Sequence, residues 1–179
     1  SGKSTLLHIL GGLDKPTAGK ILIKGEDICK LTDEKRSIFR RRQMGFVFQQ
    51  YNLLDEYNVR NNILMPLNLD NKKPDEKFYN EVINMLGLEG KTKKYPCELS
   101  GGEQQRVAIA RSIIAKPVLI IADEPTGNLD KKTGDETIAL LLGFAKKFGQ
   151  TLIIATHDQE LAQRADEIVR IEDGQLVYR

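Results

Sequence analysis

Three five-residue stretches, 44–48 (MGFVF), 118–122 (VLIIA) and 151–155 (TLIIA), constrain this chain more than anything else in it. Each is continuously apolar rather than alternating. Strands buried on both faces of a parallel sheet read this way, because neither face meets water. Helical patterns separate them. Ile138, Leu141, Leu142, Ala145 and Phe148 fall on one helical stripe after the polar start KKTGDET. Residues 75–86 form a second helix candidate, closed by Gly87. Strands alternating with helices imply an α/β fold with a parallel sheet. The residues after each run are polar: Gln49, then Asp123 and Glu124, then His157 two positions past TLIIA. In open α/β sheets ligands bind at the carboxyl ends of the strands, so these side chains are expected to converge on one crevice.

The rest of the chain adds boundaries. The tail EIVRIEDGQLVYR reads as strand, Asp-Gly turn, strand. At 179 residues the chain suits one domain with a real core. Its 27 basic and 25 acidic residues leave a net charge of +2, which does not point to nucleic acid. Two distant cysteines, Cys29 and Cys97, form no C-x-x-C pair, so the default is reduced thiols in cytosol. No stretch approaches the run of about 20 apolar residues that a membrane helix needs. Arg36, Arg40, Arg41 and Arg42 form a basic cluster, read first as a solvated face and otherwise as a contact for anionic lipid or an acidic partner loop.

The chemistry begins at SGKST, residues 1–5. Gly2, Lys3 and Ser4 match the end of a phosphate-binding loop, G-x-x-x-x-G-K-[ST]. A helix N-terminus there, flanked by Ser1 and Thr5, would present orphan N–H groups and a dipole to phosphate. Lys3 would reach the β- and γ-phosphates, and the Ser4 hydroxyl would ligate Mg²⁺. Asp123 is then the second carboxylate that holds the ion, and Glu124 is placed to polarise an attacking water. A second anion-binding helix start lies at LSGGEQQR, 99–106, where Ser100 can cap a helix over 103–115 and Gly101 and Gly102 allow close approach.

LSGGEQQR, then ADEPTGNLD at 122–130, then ATHD at 155–158, resembles the ATP-binding cassette (ABC) transporter ATPases. The motifs stand in that family's order: Walker A end, Q-loop, signature, Walker B, D-loop, H-switch. The resemblance implies a P-loop NTPase (RecA-like) core over 1–49 and 99–179, with residues 50–98 as an inserted α-helical subdomain. It implies ATP and Mg²⁺ as ligands. Gln49 becomes the Q-loop glutamine, touching the metal and coupling to a membrane partner. Leu99, Ser100, Gly101, Gly102 and Glu103 become the signature, gripping ATP held by a second subunit. Asp130 becomes the D-loop aspartate at the dimer interface, and His157 the switch histidine on the γ-phosphate. Partners implied are a second ATP-binding subunit and transmembrane permease subunits. The implied location is cytoplasmic, on the inner face of the membrane through the permease.

GGLDKPTAGKI (11–21), FQQYNLL (48–54), NILMPLNL (62–69) and EPTGNLD (124–130) look like the group that exports macrolides and antimicrobial peptides or releases lipoproteins. A cell-division or other regulatory ATPase acting on a membrane partner is the alternative. In the family a strand, the first Walker glycine and an adenine-stacking aromatic precede the SGKST segment. The sequence is therefore expected to be part of a longer subunit, truncated at its N-terminus.

Overall fold

A computed structural model describes residues 2–177. Helix α1 (Lys3–Leu10) is followed by a short hairpin, β1 (Leu22–Ile23) and β2 (Glu26–Asp27), then α2 (Asp33–Gln43) and β3 (Met44–Phe48). Helices α3 (Val59–Asn68), α4 (Glu76–Met85) and α5 (Gly101–Ile113) lead to β4 (Leu119–Asp123). Then come α6 (Lys131–Phe148), β5 (Thr151–Ala155), α7 (Gln159–Ala162), and the strands β6 (Arg170–Glu172) and β7 (Gln175–Val177).

Strands β3, β4 and β5 form a parallel sheet in that order. Their side chains divide between two buried clusters. Val47, Ile120 and Ala122 face a large one with residues of α3, α4, α5 and α6, while Leu119, Ile121 and Ala155 face a smaller one with Leu7 of α1. Burial on both faces is why the sequence runs are continuously apolar. Full burial of each Val, Leu or Ile among them is worth about 1.5–3 kcal/mol. Among the glycines the tightest approach is at Gly45 of β3, where an added Cβ would lie 2.2 Å from the Ser112 carbonyl oxygen of α5. Only a residue without a side chain lets α5 lie that flat on the sheet.

The tail hairpin pairs β6 with β7 through Asp173 and Gly174, both at positive φ, as a tight hairpin turn requires. The helix expected over 103–115 instead runs Gly101–Ile113. Ser100 starts it at once, so two glycines that read as loop are its first turn. The 75–86 helix is Glu76–Met85, with the Asp75 carboxylate accepting from the Phe78 N–H as its cap.

The basic cluster is not a row of free cations, although the Arg42 side chain is still 48% exposed. Arg36 is only 7% exposed and pairs with Asp33, while Arg40 donates to the Gly12 carbonyl at 2.7 Å. Arg41 and Arg42 each donate to the Asp70 carboxylate at 2.6 Å, and Lys72 stands 3.3 Å from it. That side chain is 3% exposed, and these cations, Arg42 foremost, hold its carboxyl down at about 2. The arginines tie α2 to the end of α3 because their counter-charge lies 28 residues on, outside any local pattern.

Candidate active site

The sheet register places Phe48, Asp123 and Ala155 side by side at the carboxyl ends of β3, β4 and β5. Whatever follows them therefore emerges along one edge. The Ser4 hydroxyl, from the first turn of α1, donates to Asp123 Oδ1 at 3.1 Å. Gly2 precedes that helix at φ 91, in the left-handed region that glycine enters without a Cβ penalty. No side-chain cap hydrogen bond is made at the start of α1 by the described residues, and its first turn carries no acid, so the positive end of the helix faces the strand edge without a local counter-charge. Thr5 is exposed on this turn, and Ser1 lies outside the described residues.

Glu124 leaves β4 at φ 45, its N–H donating to the Ala155 carbonyl at 3.0 Å. Its carboxylate lies 3.0 Å from Nδ1 of His157. His157 is fixed by its neighbours: the Asp158 N–H donates to the Thr156 hydroxyl, and the Asp158 carboxylate caps α7. The imidazole pKa is raised above its ordinary 6.5, first by the hydrogen bond and then by the charge of Glu124, while the Lys3 ammonium opposes the shift. That opposition places Lys3 within electrostatic reach of the pair. The Glu124 side chain is 21% exposed and the imidazole 80%, so one is sheltered and the other free to meet a ligand.

Gln49 goes elsewhere. Its Nε2 donates to Asn128 Oδ1 at 3.1 Å, and Asn128 Nδ2 returns a bond to the Gln49 carbonyl at 2.9 Å. Gly127 makes room, since an added Cβ there would lie 2.7 Å from Gln49 Nε2. No hydrogen bond among the described residues joins Gln49 to Ser4 or Asp123. The segment after Gln49 is held by two residues the sequence did not single out. Arg111 of α5 donates to the Tyr51 and Asn52 carbonyls at 2.9 and 2.6 Å, and burial pushes its pKa down. Asn62 of α3, fully buried, donates to the Leu54, Tyr57 and Asn58 carbonyls and accepts from the Leu54 N–H. Neither had a local signal, because each acts on backbone rather than on a paired side chain.

The Leu99–Glu103 stretch is a self-contained helix start. Ser100 and Glu103 form a reciprocal capping box at 3.3 and 2.8 Å. Lys91 pairs with Glu103 and holds that carboxyl below its usual range, with the Ser100 N–H adding to the effect. Leu99 anchors in the core. The site of a Cβ on Gly101 would be 2.8 Å from the Tyr51 hydroxyl, and that on Gly102 2.6 Å from the Thr133 methyl. Asp130 caps α6 by accepting from the Thr133 N–H at 3.1 Å, and its pKa is lowered first by the Thr133 side chain and then by that N–H. So signature, Q-loop segment and D-loop meet within one chain. No hydrogen bond or ion pair among the described residues joins Ser4, Asp123, Glu124 or His157 to Leu99–Glu103.

Comparison with known proteins places this arrangement. The family model described as ABC transporter matches residues 1–127. The protein named lipoprotein-releasing system ATP-binding protein LolD from Blochmanniella floridana is 45% identical, over 98% of this chain and 76% of that one. Its namesake from Legionella pneumophila (strain Paris) is 44% identical, over 100% and 80%. Among solved structures, the dimeric bacterial ABC transporter cassette MJ0796 superposes with a TM-score of 0.87 at 39% identity, over 98% of this chain and 78% of that one. A dimeric post-hydrolysis state of MJ0796 bound to ADP and Pi gives 0.86 at 38% identity, with the same coverage. No helix among the described residues is long and apolar enough to cross a membrane. The chain belongs to the ABC transporter family, among the cassettes that bind and hydrolyse ATP.

Proposed function

We propose that this chain works as one of two cassettes that close on ATP and drive a separate membrane permease, with lipoprotein release or peptide and macrolide export as the transport reaction. The observation that carries the reading is the strand-edge geometry: Ser4 on Asp123 at 3.1 Å beside Glu124 on His157 at 3.0 Å. Lys3 and the positive N-terminal end of α1 hold the β- and γ-phosphates. Ser4 and Asp123 would hold Mg²⁺, since a hydroxyl and a carboxylate already in contact are hard oxygen donors of the kind that ion takes. Bound there, Mg²⁺ neutralises charge on the phosphates. Glu124 accepts the proton of the attacking water, and His157 orients Glu124 and reaches toward the γ-phosphate.

The second helix start serves the other copy's ATP. Its capping box occupies the N–H groups of Ser100 and Glu103 and leaves those of Gly101 and Gly102 as donors, beside the Ser100 hydroxyl proton. Asp130 lies at the seam between copies. Gln49, committed to Asn128, is tied to the segment that leads into Asp130 and would sense that segment's position. Residues 50–98 act as the helical subdomain. A groove of about 360 Å³ lined by Leu13, Phe48, Met65 and Leu69 together with Arg40, Arg41 and Arg111 adjoins the Q-loop segment and offers a mixed apolar and basic seat for the permease. The cassette then sits at the cytoplasmic face of the membrane. The relatives named for lipoprotein release support that cargo class.

Glu124→Gln tests the chemistry. Steady-state phosphate release should fall by roughly 10²–10⁴-fold, the usual worth of a positioned general base, while Mg-ATP binding persists. A dimer should accumulate on gel filtration in Mg-ATP. Turnover within a few-fold of the parent would place the base elsewhere.

A further inference from the structure

Gln105 is a fully buried amide on α5, two positions beyond Glu103. Its Nε2 donates to the Pro125 carbonyl, and its Oε1 is buried without a hydrogen-bond partner. An apolar residue of that size would avoid the open acceptor, so the donor end has to account for an amide here. What the donor grips is a turn. The Gly127 N–H donates to the Glu124 carbonyl at 3.0 Å, which puts Pro125 and Thr126 at the centre. The central peptide of such a turn can face either way, and the flipped form needs a left-handed third residue. Thr126 is not among the positive-φ residues, so the turn is unflipped and its Pro125 carbonyl faces Gln105. Glu124 itself sits at φ 45, a backbone state an L residue holds only when its surroundings impose it. One restraint comes from β5, through the Ala155 carbonyl; the other comes from α5, through Gln105.

We propose that Gln105 is a positioning residue for Glu124, holding the Glu124–Gly127 turn so that the carboxylate stays against His157, and that it thereby ties the seating of the signature helix to the base of the chain's own site. The proposal rests on the reading of Glu124 as general base. Ser100 lies about one and a half helical turns from Gln105 on the same rigid element. A shift of α5 when the partner's phosphate meets Ser100 reaches Pro125 through a single hydrogen bond.

Gln105→Met keeps the volume and removes the donor. Turnover should fall roughly 10- to 100-fold, the cost of a misplaced catalytic group, with KM for ATP unchanged within about threefold. In a Glu124→Gln background the same change should cost nothing further, because there is no base left to position. Thr126→Gly is the second variant: it frees the turn to flip without touching α5, and it should give the same loss of turnover at parental KM. Parental turnover in both variants overturns the proposal. So does an equal fold-loss of Gln105→Met in both backgrounds, or a KM that rises in step with the loss. If Glu124→Gln is inactive and Gln105→Met is not, only the positioning claim fails. If Glu124→Gln keeps parental turnover, the reading of the base fails first.

Discussion

The starts of α1 and α5 are both helix N-termini with orphan N–H groups, and they are built in opposite ways. At α1 no side chain among the described residues caps the helix; Gly2 occupies the cap position, and Ser4 reaches 119 residues along the chain to Asp123. At α5 the helix satisfies itself, with Ser100 and Glu103 capping each other and Lys91 neutralising the acid. The first sets an uncapped helix end beside a carboxylate edge assembled from distant segments. The second is finished as a piece of structure and has no catalytic carboxylate within hydrogen-bond reach. On the proposed reading, the second becomes part of an active site only when another chain supplies the rest. Self-sufficiency is what a surface presented to a partner needs, since it must hold its shape before the partner arrives.

Removing one cation from α1 should break the comparison most visibly. Lys3→Ala should weaken Mg-ATP binding about 10- to 100-fold, the roughly 1.5–3 kcal/mol of a charged hydrogen bond. Titration calorimetry reads it directly, and unchanged affinity would mean that α1 is not where the phosphates sit.

Two serines sharpen the contrast. Ser4 is exposed and caps nothing, so Ser4→Ala should leave unfolding stability within about 0.5 kcal/mol while losing turnover. Ser100 caps α5, so Ser100→Ala should cost about 1 kcal/mol of stability. Urea unfolding of both variants checks this. Equal costs would erase the distinction between an open helix start and a finished one.

Much of the strand edge was legible in the sequence because burial on both faces leaves a mark that needs no partner to read. MGFVF and TLIIA are β3 and β5 without adjustment, and VLIIA is β4 displaced by one residue. Parallel register sets the ends of the three strands side by side, and Glu124 and His157 meet just past them, while the Gln49 side chain turns to Asn128. What escaped were side chains whose partners are far along the chain. Arg41 and Arg42 look like a solvated face until Asp70 is found beneath them. Arg111, Asn62 and Gln105 serve carbonyls, which carry no sequence signal. Phe144, fully buried, belongs to the α6 stripe but was not among the residues read there. The α5 start was misread because glycine speaks against helix on propensity, and the capping box overrides it.

The smallest effect is electrostatic. His157 should titrate above its ordinary 6.5 in the parent and return toward that value in Glu124→Gln, since the carboxylate is the main cause of the shift. With a raised pKa, the attraction between the pair is fully present below 6.5 and fades as pH rises through the raised value. Proton NMR of the imidazole follows it. An equal pKa in both proteins would mean that the two side chains do not meet in solution.

Mixing two defective chains tests the central claim most directly. Lys3→Ala spoils the α1 end, and Ser100→Arg puts a bulky cation where the partner's phosphate should sit. Each chain alone should hydrolyse ATP at background, yet Ser100→Arg should still bind the nucleotide. In an equal mixture about half the dimers pair one of each, and one of their two sites is intact. Phosphate release should then recover to as much as about a quarter of the parent rate, as a head-to-tail pairing of different surfaces requires. A mixture as inactive as its components, with both chains folded and Ser100→Arg still binding ATP, would contradict the account.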